Sequence, residues 1–185
     1  EVLSDQERER FERIMLPHLD AAYGLARWLT RNDELAEDAV QEGYLRALRF
    51  FGSLRSGDGR PWLFKIVRNA CFELLQRERS AAVDVFDEEQ HGGEAFAAGA
   101  VLVLPVNPEA AAIERADRMM VRDCMAALPR DFREALVLRE LQDCSYKEIA
   151  DITGVPIGTV MSRLARGRRL LQGLISQRVK RETGT

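Results

Sequence analysis

The sequence predicts an all-α protein: two small helical domains joined by an acidic, partly flexible linker, the second domain carrying a helix-turn-helix. Three observations predict it. Apolar residues recur at three- and four-residue spacing on both sides of a central stretch, and no alternating run argues convincingly for a strand. Residues 80–110, in between, have no sustained period and are rich in acidic, glycine and proline residues. Finally, residues 145–171 read as a short capped helix, a Gly-containing turn and a second helix crowded with arginine.

Composition bounds the rest. A chain of 185 residues with 46% hydrophobic and 31% charged residues is long enough for one large core or two small ones. No apolar run approaches bilayer length, and the first residues lack the basic-then-apolar pattern of a signal peptide, so a soluble, cytoplasmic protein with no membrane insertion is expected. Cys71, Cys124 and Cys144 are odd in number and far apart, which suits reduced thiols better than a disulfide framework or a zinc site. With only His18 and His91 besides, no metal or other cofactor is expected. The net charge of −3 hides an uneven distribution: from Val155 to Thr185 there are seven Lys/Arg against the single Glu182. A basic C-terminal segment on an otherwise neutral or acidic chain points to a polyanionic partner.

The first domain is expected over residues 5–79. Phe11, Ile14, Met15, Leu19, Ala22, Leu25 and Leu29 follow a helical period, broken or kinked at Pro17, where His18 is read as structural. Asn32-Asp33 restarts a helix. One of its faces is lined by the small residues Ala36, Ala39, Gly43 and Ala47, which invites close helix packing to offset the roughly 1 kcal/mol a mid-helix Gly costs against Ala. Asp38, Gln41 and Glu42, at i, i+3 and i+4, lie on another face; on the wheel alone they read as a solvated acidic surface. Gly52 to Gly59 is a polar loop containing Arg55, and a third long helix opens at Pro61. Leu63, Ile66, Val67, Ala70 and Leu74 form its core side. Trp62 falls instead with Lys65, Asn69 and Gln76, close to Arg60. An aromatic beside basic and amide groups suits stacking on an unpaired base, although packing on a neighbouring helix explains a lone Trp equally well.

In the linker, Val101 to Val106 is apolar and short, but Pro105 and its isolation count against a strand. The second domain is expected over 111–180, with Ile113, Met120, Val121, Cys124 and Leu128 on one stripe. Ser145 and Glu148 are spaced as a capping box, Gly154 stands where a helix commonly ends left-handed, and Pro156 suits the first turn of the next helix. On that next helix Ile157, Val160, Leu164, Gly167 and Leu171 share a core side. Thr159, Ser162, Arg163 and Arg166 gather on the opposite side, within about 60° of Thr159. Hydroxyls and guanidiniums there suit base edges and phosphates, with Arg168 and Arg169 placed for phosphate.

Taken together, "AEDAVQEGYLRALRFF", "RPWLFKIVRNACFELLQRER" and "LPRDFREALVLRELQDCSYKEIADITGVPIGTVMSRLARGRRLL" resemble the bacterial sigma factors of the extracytoplasmic-function type, the two-domain group IV class of the sigma-70 family. The resemblance covers most of the chain outside the linker. It implies a transcription initiation factor, not an enzyme, that binds core RNA polymerase. Asp38, Gln41 and Glu42 match the motif that docks on the β′ clamp helices, which reverses the solvated reading of that face. Arg55, Arg60, Trp62, Lys65, Arg68 and Asn69 match the region that recognises and melts the −10 element. Thr159, Ser162, Arg163, Arg166 and Arg169 fall on the helix that reads the −35 element of promoter DNA. The second domain would rest on the β flap, and the acidic linker would thread toward the RNA exit channel. An anti-sigma factor, soluble or membrane-anchored, is implied as the controlling partner. Gly43 and Gly167 depart from the family pattern, where larger residues are commoner. The rival is a helix-turn-helix regulator acting on duplex DNA without being a sigma factor, but the first domain has no strand–helix alternation from which to build a receiver or sensor. An enzyme fits worst: no phosphate loop, ligand cluster or nucleophilic triad is visible.

Overall fold

The computed structural model describes residues 4–54, 58–84 and 108–183, and every regular element among them is helical. The N-terminal half holds α1 (Asp5–Met15), a 3-10 turn (Leu16–His18), α2 (Leu19–Thr30), α3 (Asp33–Arg49), a second 3-10 turn (Phe51–Ser53) and α4 (Gly59–Asp84). The C-terminal half holds α5 (Pro108–Ala127), α6 (Arg130–Leu136), a π-helical turn (Val137–Leu141), α7 (Tyr146–Thr153) and α8 (Ile157–Thr183). Arg55 and the linker residues 85–107 lie outside the described residues. The acidic linker was expected to start at residue 80, but α4 carries on to Asp84.

Local chemistry sets the boundaries. Pro17 does interrupt the first helical period, as a tight 3-10 turn, because its ring cannot donate the backbone bond a continuous α-helix needs. Arg31 closes α2 in the left-handed conformation, φ 58°. Asn32 then caps α3, its side chain accepting from Leu35 N–H at 3.0 Å. In the C-terminal half, buried Arg133 donates from Nη1 to the carbonyls of Ala126 (2.9 Å) and Leu128 (3.0 Å), two of the orphan acceptors at the end of α5.

The small face of α3 does what its residues suggest. Ala36, Ala39, Gly43 and Ala47 are all buried, and a Cβ on Gly43 would lie 2.7 Å from Val67 Cγ2 and 3.2 Å from Val67 Cα. Only a glycine lets α3 and α4 approach this closely. Around that contact Leu25, Leu29, Leu63, Phe64 and Val67 are fully enclosed, each worth roughly 1.5–3 kcal/mol of burial. Gly167 plays a similar part in the C-terminal half, where an added Cβ would lie 3.2 Å from Leu136 Cδ1 and 3.3 Å from Phe132 Cβ. The same cluster of buried residues continues from one half into the other.

Three expected core positions are not core. Leu19, on the predicted apolar stripe, is 42% exposed, because the 3-10 turn at Leu16–His18 rotates the start of α2 away from the interior. Val121 is 38% exposed; burial in α5 begins one turn later with Cys124, Met125 and Leu128. Ile157, placed on the core side of α8, is 45% exposed at the first residue of that helix. The three cysteines are free and buried.

Candidate nucleic-acid and polymerase interfaces

The helix-turn-helix forms as its residues dictate. Glu148 N–H donates to Ser145 Oγ at 3.2 Å, and Ser145 N–H donates to the Glu148 carboxylate at 2.6 Å, which completes the capping box. Gly154 ends α7 at φ 71°, a conformation that disfavours any Cβ. Pro156 carbonyl then receives the N–H groups of Thr159 and Val160, starting α8. Ile149, Ile152, Val160 and Leu164 are buried between the two helices and α6, so α8 cannot rotate without exposing them.

That fixed rotation leaves Ser162, Arg166 and Arg169 exposed on α8. Arg166 and Arg169 make no ion pair among the described residues. Thr159 is half-buried, and its carbonyl accepts from Ser162 Oγ at 2.9 Å. Arg163 is not free: Nη2 donates to Asp131 Oδ2 at 2.7 Å, so α6 holds it. Between α6 and α8 lies an open cleft of about 460 Å³ lined by Arg130, Asp131, Ser162, Arg163 and Arg166, among others. Arg168, expected beside Arg169 as a phosphate contact, turns instead to Glu140 at 2.7 Å, which raises its already high pKa.

The α4 residues divide in two. Lys65 and Asn69 are exposed, and Trp62 is half-buried against the edge of the core. Arg60 and Arg68 point toward the C-terminal half. Arg60 Nη1 donates to the Gln142 carbonyl at 2.9 Å, while its buried Nε has no partner. Arg68 donates from Nε and Nη2 to the two oxygens of Glu134, at 2.5 and 3.3 Å. It also lies over the Phe72 ring, 4.4 Å from the centroid.

On α3, Asp38 and Gln41 are exposed. Glu42 is engaged by Arg46 Nε at 2.7 Å, and Arg46 also reaches Glu73 of α4 at 2.6 Å. That bond holds the Glu73 carboxyl below its ordinary range. Beside Gln41 runs a mostly apolar groove of about 410 Å³, lined by Leu19, Asp20, Tyr23, Glu37, Val40, Gln41 and Tyr44. Tyr44 donates to the Met15 carbonyl at 2.9 Å, and burial, with Asp20 nearby, pushes its hydroxyl up to about 12. Sequence reading missed this groove. Its one signal was Leu19, a large apolar residue directly after the Pro17 break.

Two family models match the chain, "Sigma-70 region 2" over residues 14–81 and "Sigma-70, region 4" over residues 118–171. Among relatives, the ECF RNA polymerase sigma-E factors of Escherichia coli (strain K12) and Salmonella typhimurium (strain LT2) are each 35% identical over 150 residues, covering 78% of this chain and 75% of theirs. The chain belongs to the ECF sigma factors of the sigma-70 family. The sigma factor RpoE of Bartonella quintana, solved in complex with the anti-sigma factor NepR, is 27% identical with a TM-score of 0.71, over 91% of this chain and 98% of that one. CnrH, solved in complex with the cytosolic domain of CnrY, shares the fold at 22% identity and a TM-score of 0.63, over 92% of this chain and 90% of that one. In this sigma factor region 4 therefore contains the helix-turn-helix, and region 2 contains both the α3 surface and the polar side of α4. No helix among the described residues is long and apolar enough to cross a membrane.

Proposed function

We propose that this sigma factor docks on core RNA polymerase through α3 and reads promoters with two separate surfaces. The first, over residues 5–79, takes the −10 element with Trp62, Lys65, Asn69 and, once released, Arg60 and Arg68, joined by Arg55 from the preceding loop. The second, over residues 111–180, takes the −35 element with Ser162, Arg163, Arg166 and Arg169, Thr159 supporting the first turn. Asp38, Gln41 and Glu42, with the neighbouring groove, supply the polymerase contact to the β′ clamp helices, and region 4 rests on the β flap. The acidic linker between α4 and α5 follows the RNA exit path. The protein does this in the cytoplasm, without cofactor or catalysis of its own.

The observation that carries the reading is the fixed rotation of α8: Val160, Leu164 and Gly167 are buried while Ser162, Arg166 and Arg169 face outward. A major-groove helix needs that separation of core and reading sides. Two weak DNA contacts joined through one polymerase-bound protein then act with a high effective concentration. Melting costs a few kcal/mol per unstacked step, offset by an aromatic such as Trp62 receiving a base. Control by an anti-sigma factor, soluble or membrane-anchored, belongs to the same proposal; the sigma factor RpoE solved in complex with the anti-sigma factor NepR supports the control itself.

Arg166→Ala tests the reading helix. Measured as binding of the polymerase holoenzyme to promoter variants, it costs about 1–3 kcal/mol and relaxes preference at one upstream base pair. A loss that is uniform over all sequences would reduce Arg166 to a phosphate contact.

A further inference from the structure

Glu134, on α6, is a carboxylate only 1% exposed, and its cationic partner belongs to the other half of the molecule. Arg68 of α4 meets it with two bonds, from 66 residues away in the chain. A second bond between the halves, to a backbone carbonyl, runs from Arg60 Nη1 to Gln142. The Phe72 ring of α4 adds to this contact: Arg68 lies 4.4 Å from its centroid, and Arg130 of α6 lies 4.6 Å from it. A buried ion pair of this sort has little net value against apolar packing, but removing one partner strands the other charge. Such a contact acts more as a latch that sets the arrangement than as a source of stability.

Size shows that the arrangement must open. A compact chain of 185 residues has a radius of gyration of about 16 Å, hence a diameter of roughly 40 Å. Elements centred at −35 and −10 are separated along B-DNA by about 85 Å at 3.4 Å per base pair. One closed molecule cannot cover both. The chain between Asp84 and Pro108, at about 3.3 Å per extended residue, reaches far enough for the halves to part.

We propose that Glu134 is an internal competitor for nucleic acid: in the free sigma factor its carboxylate, with the Gln142 carbonyl, occupies the guanidiniums of Arg68 and Arg60 and so masks the −10 surface until the halves separate. This rests on the reading of Arg60 and Arg68 as −10 contacts. A carboxylate presents two oxygens to an arginine fork much as a phosphate does, so the latch and the DNA compete for the same donors. The closed form then meets single-stranded DNA without those two guanidiniums, through Lys65, Asn69 and half-buried Trp62 alone, and opening is a population shift that polymerase docking completes.

The test uses the full-length chain with Glu134→Gln, with Arg68→Glu, and with the swapped pair Arg68→Glu/Glu134→Arg. Small-angle scattering reads the radius of gyration, and fluorescence anisotropy reads binding of a labelled single-stranded DNA pool of random sequence. Circular dichroism checks that helix content is retained. Glu134→Gln should enlarge the molecule and tighten binding to the pool about tenfold, as expected if a tenth of the wild type is open. Arg68→Glu should enlarge it without tightening, and the swapped pair should return it to the compact form. Unchanged dimensions in Glu134→Gln and Arg68→Glu would overturn the latch. Enlargement of Glu134→Gln with no gain in binding would keep the contact but overturn the masking, and with it the −10 reading of Arg60 and Arg68. If Glu134→Gln fails to fold, an open swapped pair that keeps its helix content overturns the latch by itself.

Discussion

Gly43 shows how two opposed effects are ranked at one residue. Helix propensity favours alanine there by about 1 kcal/mol, whereas overpacking costs about 1–3 kcal/mol. The added methyl would stand 2.7 Å from Val67 Cγ2 and 3.2 Å from its Cα, and backbone gives way less readily than a side-chain tip. Packing therefore wins. Gly43→Ala should lower the urea-unfolding free energy by about 1 kcal/mol; a stabilised variant would mean that α3 and α4 shift apart at little cost. Cys71 gives a prediction with pH. Burial pushes its thiol up to about 12, against an ordinary value near 8.5. A folded pKa above the unfolded one means the contribution is complete below about pH 8.5 and is lost as pH rises toward 12. Between pH 7 and pH 10 the wild type should lose about 2 kcal/mol more than Cys71→Ala, measured by urea unfolding at both values. Equal losses would show that the thiol is reached by water in the folded state. The Gly43 contact was legible in the sequence, because small residues at helical spacing have few other uses. The pairing of Arg163 with Asp131 was not, because a wheel shows where a side chain starts and not what meets it.

Elements with local punctuation were the most readable. Ser145, Glu148, Gly154 and Pro156 specify the start and end of α7 and the start of α8 through bonds within a few residues, and the structure makes those bonds. Ser145→Ala removes one side of the capping box and should cost about 1 kcal/mol of stability, read from urea unfolding. A negligible change would mean that packing of Ile149 and Ile152 alone holds α7. Less readable were elements whose form depends on distant parts. The π-helical turn at Val137–Leu141 closes with Gln142 N–H on the Val137 carbonyl, and no residue type announces it. The exposure of Val121 depends on where the C-terminal core ends along α5, and that of Leu19 on the direction α2 takes after its preceding turn. Both are decided by tertiary geometry, which periodicity does not contain.

At the level of the whole molecule, charge accounting was right about the basic C-terminal segment but could not show that two of the arginines on α4 are already occupied. Arg68 and Glu134 are 66 residues apart, and nothing in their separate neighbourhoods pairs them. On the latch proposal, that one contact turns two surfaces ready for DNA into a closed factor that opens to work. The near-neutral chain, net charge −3, agrees with weak binding to DNA in isolation. Specificity then depends on polymerase, which brings both surfaces onto one duplex.

On the proposed reading, α3 delivers this sigma factor to polymerase, and that delivery creates promoter-specific initiation. The decisive experiment is run-off transcription with core RNA polymerase, with and without the protein, on a pool of promoter fragments from the source genome. Discrete new start sites should appear, and should vanish when Asp38, Gln41 and Glu42 are replaced together by alanine. No gain in initiation, with the protein binding duplex DNA on its own, would contradict that reading.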